Sequence, residues 1–351
     1  MKKIFITAIV TGVTLFSQVH AHDFITQVNG QTLYLSITDT ARRTAIVTYE
    51  GKASSASEPK AYRGIVTIPV RVTVRGVTYR VTGIGPKAFS NSPSLTGIII
   101  PGGVTEIGDF AFDGCSSLES IVFPGNEVSI GEGAFYRCPS VSRVTLGSDW
   151  TSVNLNIFRW SRNLEEISIP AKVRQIKNLK TLQALKRVSV DANNPYYKSH
   201  DGLLYSSDSR TLLAVPRGLD GTVTVRGGTE HILKGALSDC YSISGIELPA
   251  TITDLSYREF SELTELRTII MHSHQPIMTA VRDGQQIFAL MVTPGVSLIV
   301  PKKARKAYMV AVSGTRGEYA ELPTGTGTIP VLVHEEDLLQ ATSIIGDKKL
   351  K

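Results

Sequence analysis

A 23-residue period constrains this chain more than any other feature. Phe89, Phe112, Phe135 and Phe158 recur at that spacing, as do Ile84, Ile107, Ile130, Val153 and Ile176. Pro101, Pro124, Gly147 and Pro170 keep the same frame. Several columns in one register mean that a single supersecondary unit is being restated. The fifth unit loses two residues, and Leu179, Leu182 and Leu185 take its inner positions. The frame then resumes at Ile232, Leu237 and Ile246, matched one full period on by Leu255, Phe260 and Ile269.

The unit reads I-G-x-x-A-F-x-x-C-x-x-L-x-x-I-x-I-P-x-x-V-x-x, and its parts have separate roles. Leu118 to Phe123 ends in alternation of period two, as a strand with one buried face does. The proline that follows ends the strand, because it has no N–H for a further ladder bond. Gly85, Gly108 and Gly131 follow the isoleucine column, where a tight turn with positive φ is expected, and Asn154 is the next most tolerant residue there. The Ala-Phe segment reads as a short turn or helical piece that sends its Phe inward. One such unit cannot bury its own apolar side. Stacked units form continuous Ile, Phe and Leu columns with strands paired in parallel, which is a solenoid.

Cys115, Cys138 and Cys240 all lie three residues after the Phe column, a slot held elsewhere by Ser92, Ser161, Leu182 and Leu263. Exchange with Ser and Leu describes a small inward slot, so buried free thiols are expected. A Cys115–Cys138 bridge between neighbouring coils is the alternative. Between the fifth unit and the resumed frame lies an island, about 191–225, in which DGLLY and TLLAVP flank a polar turn from Ser206 to Arg210. That pattern predicts an inserted β-hairpin.

These residues resemble the BspA-like leucine-rich repeat family, found on surfaces of Bacteroidetes and some other microbes. IPGGVTEIGDFAFDGCSSLESIVFP (Ile100–Pro124) is similar to a consensus unit, and NNPYYKSHDGLLYSSDSRTLLAVP (Asn193–Pro216) to the family's hairpin variant. YRGIVTIPVRVTVRGVTYRVTGIGPKAF (Tyr62–Phe89) resembles the usual lead-in to the array, and LIVPKKARKAYMVA (Leu298–Ala311) its closing strand and helix. The fourth unit, VNLNIFRWSRNLEEISIP, departs from the pattern, as does GTRGEYAEL after the closing helix. The resemblance implies an α/β repeat: a right-handed leucine-rich-repeat solenoid with a parallel sheet, a β-rich N-terminal cap, an inserted hairpin and a strand-helix C-terminal cap. It also implies a surface or secreted attachment role, with fibronectin and fibrinogen among ligands associated with the family.

The N-terminal segment, 1–21, has a charged start (Lys2, Lys3), an apolar run from Ile4 to Phe16 and a small-residue cleavage pattern at Val19-His20-Ala21. This is the form of a secretory signal peptide, with His22 as the mature N-terminus. No later stretch reaches the length of a membrane-spanning segment. Without Lys2 and Lys3 the chain has 35 basic and 31 acidic residues, a charge of +4 rather than +6. So slight an excess, without Lys/Arg blocks, argues against nucleic acid as a partner. The resulting segments are a signal peptide (1–21), a cap (22–83), the solenoid (84–275), a capping unit (276–322) and a strand or tail (323–351).

No nucleophile elbow, phosphate loop or zinc-protease motif is present, so an enzyme is not expected, and neither is a cofactor. His272-Ser273-His274 supplies two imidazoles but too few ligands for a metal site. Asp201 and Asp208 lack the ligand density of a calcium loop. The candidate surface is the outward row of the strands. One row runs Gly97, Ser120, Arg143, Glu166, Arg187, Gly245, Thr268, and the other Ile99, Val122, Thr145, Ser168, Ser189, Glu247, Ile270. Arg143, Glu166 and Arg187 form an alternating charged series, Ile99 and Val122 an apolar patch, and Glu247 an acidic point further along. A solvated salt-bridge row is the competing reading of the charges. Tyr196, Tyr197 and Trp160 are further contacts unless the hairpin buries them. The expected function is non-enzymatic protein recognition at the cell surface or after secretion, with the periplasm as a further location. The partner would be a host matrix or microbial surface protein, with a glycan as the second class. An envelope scaffold is the alternative.

Overall fold

A computed structural model of the chain describes residues 22–49, 62–308 apart from 254, 257–258, 261, 278–279, 283–284 and 288–295, and 331–333. The signal-like segment, residues 52–60 (KASSASEPK) within the expected N-terminal cap, GTRGEYAEL and most of the tail lie outside the described residues. The chain divides into two units, residues 1–185 with 190–195 and residues 186–189 with 196–351.

In the first unit, β1 (Phe24–Val28), β2 (Gln31–Asp39) and β3 (Thr44–Thr48) form an antiparallel meander. Leu33, Leu35, Ala45 and Val47 are its fully buried face, as alternation in a half-buried sheet requires. β4 (Arg63–Thr67) pairs in parallel with residues 94–99 of the repeats instead of joining the meander, while β5 (Arg71–Val74) and β6 (Val77–Ile84) make a hairpin whose second strand pairs in parallel with β3. The repeats then follow. β7 (Ser94–Ile99), β9 (Ser120–Val122) and β11 (Arg143–Thr145) pair in parallel with Ile98 opposite Ile121 and Ile121 opposite Val144. The repeat frame is thus the strand register itself.

A second parallel ladder, absent from the sequence expectation, runs through the isoleucine column. It comprises β6, β8 (Glu106–Ile107) and β10 (Ser129–Ile130), and further on β12 (Ser152–Asn154) with β14 (Gln175–Lys177). β13 (Glu166–Ile169) carries the next Leu-x-x-Ile-x-Ile segment. Helix is almost missing. The Ala-Phe segments are turns, with 3₁₀ pieces only at Leu155–Phe158 and Leu179–Thr181 among the described residues.

Between the strands the core is an aromatic column. Phe89, Phe112 and Phe135 stack with ring centroids 5.0 Å apart and planes within 2°. Tyr62 closes the upper end against Phe89 at 4.6 Å. Phe158 continues the column at 5.7 Å but tilted by 38°, where Phe123 and Trp150 wedge in beside it. This local disturbance coincides with the irregular fourth unit. Trp150 fills the slot that Val104 and Val173 hold in other coils. A Cβ at residue 147 would run into the Pro124 carbonyl oxygen of the preceding coil and then the Trp150 indole, so glycine stands where other coils have proline.

The glycine column corrects the expectation of positive φ. Gly85, Gly108 and Gly131 do not adopt it, nor does Asn154, whose φ is −105°. These glycines are required by close approach: a Cβ on Gly108 would lie 2.5 Å from Pro86 N and 2.9 Å from Gly85 C of the preceding coil. The left-handed positions are elsewhere in the turn, at Lys87, Phe110 and Gly133 and again at Asn91, Gly114 and Arg137. That conformation costs a non-glycine residue about 1–2 kcal/mol. Coil-to-coil bonds oppose the cost: Lys87 N–H donates to Asp109 O (3.0 Å), Phe110 N–H to Glu132 O (2.9 Å) and Asn91 N–H to Asp113 O (2.7 Å).

In the second unit β15 (Arg187–Val190) is followed by β16 (Tyr197–His200), β17 (Leu203–Ser206) and β18 (Thr211–Ala214). The expected hairpin is β17–β18, and β16 extends it to an antiparallel meander. β18 then pairs in parallel with β20 (His231–Ile232), which carries the isoleucine column of the resumed frame. The main sheet of this unit is parallel, in the order β19 (Gly221–Thr224), β21 (Ile243–Leu248), β22 (Thr268–Met271), β25 (Ser297–Val300), β26 (Val331–Val333). β23 (Ala280–Arg282) and β24 (Gln285–Ile287) form a separate hairpin. Of the closing strand and helix expected within Leu298–Ala311, residues 305–308 are helical and 309–311 lie outside the described residues. Tyr308 is fully buried and donates its hydroxyl to Gln275 O at 2.9 Å.

All three cysteines are free and buried. Cys115 Sγ–H donates to Phe89 O and Cys138 Sγ–H to Phe112 O, both at 3.1 Å, so each thiol serves the carbonyl of the previous coil's Phe position. The neighbouring Cys115 thiol, then burial, pushes the Cys138 thiol far above its ordinary range. Ser92 and Ser161 occupy the same slot, and their buried hydroxyls have no partner among the described residues. Thiol reactivity follows thiolate character and access. The native protein is expected to leave all three cysteines unlabelled by DTNB, and urea to expose three, with no two hydrogens missing from the intact mass. Rapid labelling in the native state would contradict this packing.

Candidate ligand-binding face

The first-unit sheet has the order β11-β9-β7-β4, with Arg63–Thr67 at its edge. Its strands alternate: Val66, Ile98 and Ile121 face the core, and their neighbours face out. Register places Ile65 opposite Gly97, Gly97 opposite Ser120, and Ser120 opposite Arg143. The second outward row is Thr67, Ile99, Val122 and Thr145. The first three members of each sequence-derived row, Gly97, Ser120 and Arg143 and then Ile99, Val122 and Thr145, therefore lie opposite one another in this sheet.

Ile65 enlarges the apolar patch beyond the Ile99 and Val122 expected from sequence. It is 59% exposed and Ile99 39%. A Cβ on Gly97 would meet Ser120 Oγ at 2.7 Å and Ile65 Cγ1 at 3.1 Å, so the glycine is a shallow floor between them. The frame could not reveal Ile65, because β4 joins through a register shift at Gly64/Ile65 and precedes its partner strand by more than one repeat.

Arg143 is exposed and pairs with Glu119, Nη2 to Oε2 at 3.4 Å. Two side chains so open to water contribute little as an ion pair, typically about 0.2–1 kcal/mol. Glu166 is exposed at the start of β13, and Arg187 is exposed on β15. Glu247 belongs to a different cluster in the second unit. It accepts a hydrogen bond from Thr224 Oγ1 (3.0 Å) through one oxygen and from His272 Nε2 (2.7 Å) through the other. Ile270 lies beside it in register. Here sequence reasoning missed the partner: His272 follows Ile270 by two positions at the end of the adjacent strand, within reach of an outward carboxylate. The carboxylate sits between the hydroxyl and the imidazole, so the three do not form a nucleophile–base–orienter relay, which needs the base in the middle. Among the described residues no group of three or more His, Cys, Asp or Glu could hold a metal ion. Tyr196 and Trp160 are exposed, whereas Tyr197 is half-buried.

Parallel strands stacked in register with the repeat, with outward rows of mixed apolar and charged residues, define a leucine-rich repeat protein. The chain belongs to the BspA type leucine rich repeat family, with six copies of that repeat region over residues 82–194 and 221–281. Among solved structures it is similar to the pneumococcal vaccine antigen PcpA, at 18% identity over 88% of this chain and 98% of that one, with a TM-score of 0.44. A leucine rich cell surface protein of Faecalibacterium prausnitzii matches at 18% identity over 93% and 98%, TM-score 0.38. A leucine-rich repeat protein of Bacteroides ovatus matches at 19% over 78% and 79%, TM-score 0.41. No curated protein matches the chain. Among the described residues no helix is long and apolar enough to cross a membrane.

Proposed function

We propose that this protein is exported and acts by non-catalytic recognition of another protein, a host matrix protein or the surface protein of a neighbouring cell. The observation behind the reading is the outward pair of rows on β4, β7, β9 and β11, where Ile65, Ile99 and Val122 adjoin Arg143. An exposed apolar group rimmed by charge is the usual composition of a recognition surface. The repeat family and the signal-like N-terminal segment support export. Glu166 in the first unit, and Arg187 and Glu247 in the second, are proposed as charged contacts, each on the outward side of its own strand.

The test is binding of the mature chain to purified fibronectin and fibrinogen, repeated with Arg143→Glu/Arg187→Glu and with Ile65→Ser/Ile99→Ser. Each double variant is expected to weaken binding at least about tenfold with an unchanged thermal melt. Binding untouched by both would remove the rows from the function. The exposed Ile65 and Ile99, with half-buried Val122 beside them, also favour a second reading, an envelope scaffold that docks an apolar bacterial partner. In that case binding would be lost in the Ile variant alone and would be insensitive to salt.

A further inference from the structure

The turn segments of the third and fourth coils carry a second cluster, away from the strand rows. Tyr136 and Trp160, one and two positions past their Phe columns, are each 39% exposed. Their rings meet edge to face, centroids 5.6 Å apart and planes at 90°. Arg137 lies 5.8 Å over the Tyr136 ring and Arg159 5.4 Å over the Trp160 ring. Asp113, one coil back, fixes Arg137 through two bonds, Nε to Oδ1 at 2.8 Å and Nη2 to Oδ2 at 2.6 Å. Arg162 is exposed two positions further along the same turn, and Lys180 takes the position of Arg159 in the next coil. Neither Arg159 nor Arg162 has a carboxylate partner among the described residues. The cluster is therefore an aromatic platform with an excess of positive charge.

From this geometry we infer that the Tyr136–Trp160 ridge binds an acidic polysaccharide. Charge complementarity calls for an anionic partner, since among the described residues Asp113 is the one carboxylate paired with any of these three arginines. Stiff aromatic faces suit sugar rings, whose axial C–H groups pack flat against an indole or phenol. Guanidinium forks suit uronate or sulfate groups, which accept two parallel hydrogen bonds. The coils repeat at the 5.0 Å spacing of the Phe stack, comparable to one sugar residue in an extended chain. An acidic peptide fits less well. Peptide recognition draws on a free strand edge or a groove, whereas main-chain groups at this ridge are already engaged. Tyr136 O accepts from Gly114 N (2.9 Å), Tyr136 N–H donates to Gly133 O (2.9 Å) and Arg159 N–H to Asn156 O (3.1 Å).

The protein contains its own reporter. Of its two tryptophans, Trp150 is buried, with its indole N–H donating to Asn126 O, and Trp160 is exposed. Collisional quenching by neutral acrylamide therefore reads mainly Trp160. The purified protein is titrated with polygalacturonate, dextran sulfate, neutral dextran and polyglutamate. Carboxylated or sulfated glycan is expected to bind and to shield the quenchable emission, and the two arms distinguish which acid group is preferred. Trp160→Ala and Arg159→Ala/Arg162→Ala should each weaken binding at least about tenfold, with unchanged melts. Tyr136→Ala, which keeps the tryptophan, should show the same loss by quenching. No binding to either acidic glycan would overturn the proposal, as would equal binding to neutral dextran. Equal shielding by polyglutamate would assign the ridge to acidic peptides instead. Sensitivity to the arginine variant but not to Trp160→Ala would reduce it to ion exchange. Because no strand-row residue is altered, the outcome is independent of the sheet-face experiment.

Discussion

Phe112→Ala is expected to lower unfolding stability by about 3–5 kcal/mol, the largest loss from any single truncation in the first unit. Phe112 is fully buried and stacks at 5.0 Å on Phe89 on one side and on Phe135 on the other. Removing it leaves a void that two neighbouring rings must face, and it deletes two stacked pairs worth about 0.5–1.5 kcal/mol each beyond their burial. Repeat proteins transmit stability through nearest-neighbour interfaces, so the damage extends to the coils above and below. Urea unfolding followed by circular dichroism measures the loss. Cys115 and Cys138, which line the same turns, should become reactive to DTNB at lower denaturant than in the parent. A loss under about 1 kcal/mol would mean that the column is not the principal core of the first unit.

How far the sequence discloses this structure depends on whether a feature repeats. Columns that recur once in every unit specify strand register directly, because parallel neighbours must superimpose their inward residues. Ile98, Ile121 and Val144 are paired as that frame requires, and so are Ile246 and Ile269. What occurs once is harder to read. Ile65 joins the sheet through an irregular register, and β16 has no repeat to announce it. The second ladder at Glu106–Ile107 and Ser129–Ile130 has only a pair of residues per coil, too short for alternation to signal it. Side-chain partners are less legible still. The frame places Arg143 near Glu166, yet its ion pair is with Glu119, whose position just before the outward row hides the pairing. The Tyr136–Trp160 contact is diagonal, joining adjacent columns of successive coils, so neither column reveals it alone.

The glycine column gives the second large effect. Gly108→Ala is expected to destabilise by about 1–3 kcal/mol, although alanine is otherwise a small change. The added Cβ would lie 2.5 Å from Pro86 N, 2.8 Å from Pro86 Cδ and 2.9 Å from Gly85 C. Main chain and a proline ring cannot step aside as a flexible side chain does, so the coils must separate locally. That separation would stretch Gly108 N–H to Ile84 O (2.8 Å) and Gly131 N–H to Ile107 O (2.7 Å), the bonds that join three successive coils. Gly102→Ala is the matched control. No atom lies within 4 Å of its Cβ position and its φ is not positive, so restricting the unfolded chain should leave stability within about 1 kcal/mol of the parent. Thermal melts of the two variants separate the explanations. If coil contact did not demand glycine here, Gly108→Ala would melt with Gly102→Ala, since neither position has a positive φ. If the column serves coil contact, Gly108→Ala falls well below Gly102→Ala, and the tightness of coil stacking accounts for the Ile-Gly pair at 84–85, 107–108 and 130–131.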